Sequence, residues 1–178
     1  MSTPANWFLR ADLAERRVCI FATALARRRA PRSLFRLVSR LGDGIVWYLL
    51  MAAMPLLLGR PGLAVAAQML VTGAAGLAAY KLLKRHLVRE RPFIGLAGIE
   101  CAMAPLDRYS FPSGHTLHAS CFTVLAVAYV PGLAPLLVPF ALLVAMSRVV
   151  LGLHYPTDVI AGALLGALLA GASLSIAG

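Results

Sequence analysis

Five long apolar stretches, at residues 44–58, 62–83, 114–130, 132–151 and 159–177, dominate this chain after its first forty residues. A helical bilayer crossing needs about 20 apolar residues, and somewhat fewer where flanking side chains snorkel or the bilayer thins. The stretches are rich in Leu and Ala and lack period-two alternation, which argues against strands. The predicted fold is all-α: a polytopic transmembrane helical bundle of about five spans, preceded by an interfacial amphipathic helix. Composition excludes an ordinary soluble domain, with 60% hydrophobic residues, 13% charged residues and a mean hydropathy of +0.80. The 178 residues give room for one bundle and no accessory domain.

Turn chemistry orders the spans. Gly59-Arg60-Pro61 and Val130-Pro131-Gly132 are short punctuation, so the stretches on either side are expected to be antiparallel neighbours. The first stretch is short and can extend back to Leu41. Only the segment leading to Phe111 reads as a sizeable loop. Cys19, Cys101 and Cys121 have no metal-ligand spacing and read as small apolar residues.

The first forty residues carry nine arginines of the chain's 17 basic residues. Leu34, Leu37, Val38 and Leu41 fall at helical spacing with Arg36 and Arg40 elsewhere on the wheel, the pattern of a basic helix in the headgroup layer. Trp7, Phe8, Phe21 and Phe35 favour that reading over a solvated tail, because they are costly to leave in water. Residues 1–41 are therefore expected to be a basic amphipathic segment at the interface, attracted to anionic lipids, with residues 42–178 forming the transmembrane domain.

Three clusters stand at the ends of these stretches: Lys84 to Arg91-Pro92, Phe111-Pro112-Ser113-Gly114-His115, and Ser147-Arg148 followed by His154 and Asp158. With five alternating spans, all three fall on one face. Lys84, Arg91 and Arg148 supply fixed positive charge, His115 and His154 supply proton transfer or nucleophilic attack, and Asp158 can hold a histidine in one tautomer. That inventory suits a phosphate-handling site.

In sequence form the clusters read Lys84-x6-Arg91-Pro92, Pro112-Ser113-Gly114-His115 and Ser147-Arg148-x5-His154-x3-Asp158. This resembles the three-part signature of the type 2 phosphatidic acid phosphatase superfamily, over roughly residues 62–177. The resemblance implies a membrane lipid phosphatase, in bacteria one of the inner membrane, that uses neither metal nor other cofactor. It implies His154 as nucleophile, His115 as general acid, and Lys84, Arg91, Ser113, Gly114 and Arg148 as phosphate-binding residues. Asp158, one helical turn beyond His154, suits the role of the carboxylate that stabilises a developing imidazolium. Pro156 suits the first turn of the last span, with His154 just before it.

Other polar residues receive plainer readings. His118 is expected to pack, Arg85, His86 and Arg89 to meet headgroups, Glu100 and Asp107 to be solvated, and Tyr109 and Tyr155 to shape the pocket. The implied substrates are phosphate or diphosphate esters of a lipid: phosphatidic acid, phosphatidylglycerophosphate, a polyprenyl diphosphate, a lipid-linked sugar phosphate or lipid A phosphate. Nucleic acid is not an expected partner. A lipid phosphotransferase with the same site, or a non-catalytic lipid-phosphate-binding membrane protein, are the alternatives. Family members commonly have six spans and an outward active face; five spans and an arginine-rich N-terminus predict a cytoplasmic active face here.

Overall fold

The computed structural model describes residues 4–105 and 107–177, with side chains from residue 15 onward, so the expectations for Trp7 and Phe8 lie outside the described side chains. The elements are α1 (Pro4–Leu25), α2 (Arg29–Arg40), α3 (Val46–Leu58), α4 (Pro61–His86), α5 (Pro92–Gly95), α6 (Gly114–Tyr129), α7 (Ala134–Val150) and α8 (Pro156–Ala177). No strand occurs among the described residues. The all-α prediction holds.

Among the described residues, four helical runs are long and apolar enough to cross a membrane: Arg29–Leu58, Pro61–His86, Pro131–Val150 and Pro156–Ala177. The other expected span, α6, has 16 residues, a length of about 24 Å at 1.5 Å per residue. It is the enclosed centre of the bundle, packed by α4, α7 and α8, with Leu117, Ala119, Cys121, Leu125 and Ala126 fully buried. Because α7 starts from the end of the bundle opposite His115, α6 carries the chain from one face to the other.

Close helix approach depends on missing side chains. A Cβ on Gly162 would stand 2.5 Å from the Ser113 carbonyl oxygen, and one on Gly166 2.2 Å from that of Leu117. Gly162, Gly166 and Ala170 are the buried face that brings α8 onto α6. At the α3–α4 turn, Gly59 takes a φ of 66°, open to glycine at little cost, and Pro61 starts α4 with the fixed φ a first helical turn requires. Outside this core the bundle is greasy: Leu56 is 87% exposed and Leu168 70%. Such a girdle is costly in water and natural in hydrocarbon.

The N-terminal helices are bound into the bundle. α2 runs into α3 through a kink at Leu41–Ile45, where Gly44 has a φ of 122°. Phe35, Val38 and Ser39 of α2 are buried, whereas Leu34 and Leu37 face outward. α1 lies over the turn before α8, with Cys19 packed against Ile99 and Tyr155.

Candidate active site at the ends of four helices

Each expected site residue is placed by local chain geometry. Lys84 is in the last turn of α4, Arg91 is extended just before α5, His115 is in the first turn of α6, and Arg148 is in the last turn of α7. After α7 the chain reverses through Gly152, whose φ of 75° and distance to the Glu100 carbonyl leave no room for a Cβ. The backbone N–H groups of Leu153 and His154 both donate to the Arg148 carbonyl, at 3.0 and 3.1 Å, which carries His154 back beside Arg148. Asp158 then caps α8, its Oδ2 accepting from the Tyr155 N–H at 2.8 Å in the manner of a capping-box acid.

These helix ends enclose a cavity of about 320 Å3, lined by Lys84, Arg91, Gly114, His115, Arg148 and His154 among others. Ser113 and Asp158 stand behind it. The Ser113 hydroxyl pairs with Thr116 Oγ1 at 3.0 Å. Asp158 Oδ2 lies 3.5 Å from His154 Nδ1, which leaves His154 Nε2 on the cavity side, 3.4 Å from Arg91 Nη1. Burial, reinforced by the charges of Arg148, Arg91 and Lys84, pushes His154 well below the usual histidine range, so its imidazole is neutral at physiological pH.

The three cations are held differently. Lys84 Nζ donates to both carboxylate oxygens of Asp107, at 2.7 and 2.8 Å, and Arg91 Nη2 donates to Oδ1 at 2.6 Å. Burial alone would raise the Asp107 carboxyl, but Lys84 and Arg91 outweigh it and hold it below its ordinary range. Arg148 Nη1 donates to the neutral hydroxyl of Ser39, and its Nε is buried without a hydrogen-bond partner.

Several plainer readings are corrected here. Asp107 is not simply solvated, being the carboxylate that bridges two cavity cations. Arg89 meets no headgroup: at 2% exposed it bonds Asp158, Thr157 and Glu15 and stacks over Tyr155 at 3.9 Å. His118 lines the cavity as well as packing, its ring nitrogens each 3.1 Å from a carbonyl, of Gly114 and of Gly73. Asp43, in the α2–α3 kink, sits with its Oδ1 3.3 Å from His115 Nε2, in ion-pair range but poorly aligned for a hydrogen bond. Scarcity is the signal that could have found these residues. The chain has only seven acids, and four of them, Glu15, Asp43, Asp107 and Asp158, surround this site.

Comparison with known proteins follows the same outline. The family model described as the PAP2 superfamily matches residues 61–178. A decaprenylphosphoryl-5-phosphoribose phosphatase of Mycolicibacterium smegmatis is 41% identical over 87 residues, covering 48% of this chain and 45% of that protein. Phosphatidylglycerophosphatase B of Bacillus subtilis is 38% identical over 103 residues, covering 50% of this chain and 46% of that protein. The chain thus spans about half the length of the curated relatives it matches. The crystal structure of a transmembrane PAP2-type phosphatidylglycerolphosphate phosphatase from Bacillus subtilis superimposes with a TM-score of 0.76 at 25% identity, over 99% of this chain and 96% of that one. The N-terminal helices, outside the family-model match, therefore have structural counterparts in that protein. Together the match across most of the bundle and the shared architecture establish this integral membrane protein as a member of the PAP2 superfamily.

Proposed function

We propose that this protein is a metal-independent lipid phosphatase that hydrolyses a phosphate or diphosphate monoester of a membrane lipid through a phosphohistidine on His154. What carries this reading is one cavity that joins a neutral histidine and three cations to an apolar wall. Trp47, Met51, Leu70 and Leu77, from α3 and α4, line that wall, and Leu70 is 57% exposed on the bundle surface. A phosphorylated headgroup would lie among the cations while its tail follows the wall outward. The relatives' names differ in the lipid but share a phosphate on it.

The chemistry follows from the geometry. His154 Nε2 attacks phosphorus as its bond to the leaving oxygen breaks, that of the lipid alcohol in a monophosphate or of the inner phosphate in a diphosphate, and the equatorial oxygens rest on Lys84, Arg91, Arg148 and the backbone at Gly114. His154 Nδ1–H faces the Asp158 carboxylate, which offsets the positive charge that develops on the ring. With the anionic phosphate on one side and the Asp43 carboxylate 3.3 Å from its Nε2 on the other, His115 carries a proton in the loaded site, gives it to the leaving oxygen and becomes neutral. Water then attacks the phosphohistidine, His115 takes up the water's proton, and phosphate departs to leave His154 neutral. Ser113, behind the cavity wall, supports the first turn of α6 and so the backbone that cradles phosphate.

We also assign the active face to the cytoplasm and the basic N-terminal helices to contact with anionic lipid. Exposed Arg16, Arg17, Arg27, Arg28 and Arg29 support both readings. The first test is release of inorganic phosphate by purified protein in detergent with EDTA, across a panel of lipid phosphates and diphosphates. Wild-type activity lost in His154→Ala is the expected result; equal activity in both proteins would remove His154 as nucleophile. External labelling of a cysteine introduced at Asp107 in intact cells would overturn the cytoplasmic placement.

A further inference from the structure

Behind the cavity, on the side of Asp158 away from His154, lies a buried charged network whose other members, Arg89, Thr157 and Glu15, are not signature positions. Arg89 Nη1 donates to Asp158 Oδ1 at 2.5 Å and to Thr157 Oγ1 at 2.7 Å, and its Nη2 donates to Glu15 Oε2 at 2.8 Å. Glu15, from α1, also accepts from the Thr157 backbone N–H at 2.5 Å and from its hydroxyl at 2.9 Å. The Arg89 side chain is 1% exposed and the Asp158 side chain 0%, and Tyr155 closes one face of the guanidinium. Ion networks this deeply buried persist only when each partner is compensated, because removing one leaves an unpaired charge.

We infer that Glu15 and Arg89 are positioning residues for the proposed reaction, fixing the Asp158 carboxylate and keeping enough negative charge on it to stabilise a positive His154. The physical reason is a division of charge. Arg89 paired with Asp158 alone would largely neutralise the carboxylate that His154 needs. Glu15 draws on the same guanidinium through its other amino group, so Arg89 and the two acids together carry one net negative charge behind His154. On the cavity side His154 faces Lys84, Arg91 and Arg148, with His115 also near and Asp107 as the nearby acid. Those cations disfavour an imidazolium. The buried acids on the other side are the counterweight, and α1 supplies one of them.

This inference rests on the phosphatase reading, and the experiment separates the two. With wild type active and His154→Ala silent in EDTA, the pH dependence of kcat and KM is measured for Glu15→Gln, Glu15→Asp and Thr157→Val, each recovered as monodisperse protein. Glu15→Gln is expected to lower kcat about 10-fold with KM changed less than about twofold, as for an interaction felt only in the transition state. Its acid limb should move to lower pH by roughly half a unit, because an Asp158 more fully neutralised by Arg89 holds a proton on His154 less well. Glu15→Asp, which keeps the charge, should retain the wild-type acid limb. Thr157→Val, which loosens the network at unchanged charge, should lower kcat about threefold without moving the limb, the size of a partial hydrogen-bond loss. A kcat loss in Glu15→Gln with an unshifted limb, or the same limb shift in Gln and Asp, would overturn the inference. If Glu15→Gln is not recovered folded, wild-type kcat in Thr157→Val overturns it and the threefold loss supports it. An inactive wild type, or an active His154→Ala, would instead sink the phosphatase reading.

Discussion

The two sides of the proposed phosphate cradle are built on opposite principles. On one side Lys84 and Arg91 share a carboxylate, Asp107, which occupies two cation heads at 2.6–2.8 Å in the way a phosphate oxygen would. On the other, Arg148 is 2% exposed and, among the described residues, hydrogen-bonds the Ser39 hydroxyl and no acid, its Nε unpartnered and Asp43 acting on it only through space. Charge that is already paired must be exchanged when an anion arrives, so its net contribution is small. Charge that is buried without a bonded counter-ion is costly in the resting protein and gains most from the anion. Arg148 should therefore anchor the transferring phosphoryl group, while Lys84 and Arg91 tune access to it.

The largest expected effect tests that asymmetry directly. Arg148→Ala should lower kcat/KM by about 1,000-fold, at the upper end for loss of one preorganised charge donor, whereas Lys84→Ala should cost about 10- to 100-fold. Steady-state kinetics on one lipid phosphate compares them. Equal losses would dissolve the distinction between the two sides.

Next comes pH. A free histidine titrates near 6.5, but burial and the flanking Arg148, Arg91 and Lys84 hold His154 well below that range. In the proposed reaction the nucleophile is the neutral ring, so it remains competent as pH falls through 6.5 and is lost only where the folded protein finally protonates it. The acid limb of kcat/KM attributable to His154 should lie below pH 6.5; a limb at or above 6.5 that Arg148→Ala leaves unmoved would contradict the electrostatic account. Smaller still is the effect of freeing the paired side. Asp107→Asn removes the internal anion, so inorganic phosphate should inhibit about 10-fold more tightly, by removal of a competing occupied state. Unchanged or weaker inhibition would mean that Asp107 does not compete with the ligand.

How much of this is legible in the sequence follows from the same contrast. Lys84, Arg91, His115, Arg148 and His154 can be brought together on paper because each ends an apolar run of membrane-crossing length, and alternating runs return to the same face. Asp158 is legible through its one-turn spacing from His154. Asp107 and Arg89 are not. Both lie where local periodicity is silent, in a segment joining α4 to α6, and only the tertiary fold distinguishes a buried bridging charge from a solvated one. Glu15 and Asp43 are hidden for a further reason: Glu15 comes from a helix that reads as a basic surface segment and Asp43 from a kink just past its end, and their partners are 74 and 72 residues away, at Arg89 and His115. The small-residue face of α8 lies between these extremes, since its spacing is readable but its partner, α6, is not.

The smallest effect concerns the hydroxyl beneath Arg148. Ser39 is fully buried on α2, and it ties an N-terminal helix outside the family-model match to the cavity cation that lacks a bonded acid. Removing one neutral partner from a charged donor costs about 1.5–3 kcal/mol when the donor is left wholly unsatisfied, and less where water or substrate can take its place. Because phosphate itself would bond Arg148, Ser39→Ala should weaken the resting protein more than the loaded one. The expected result is a modest fall in thermal midpoint without ligand, largely restored by saturating phosphate, with kcat within about threefold of wild type. A large kcat loss that phosphate-bound stability does not track would show that Ser39 aims Arg148 during the reaction, and would make the unpaired side of the cradle depend on α2 as firmly as the paired side depends on Asp107.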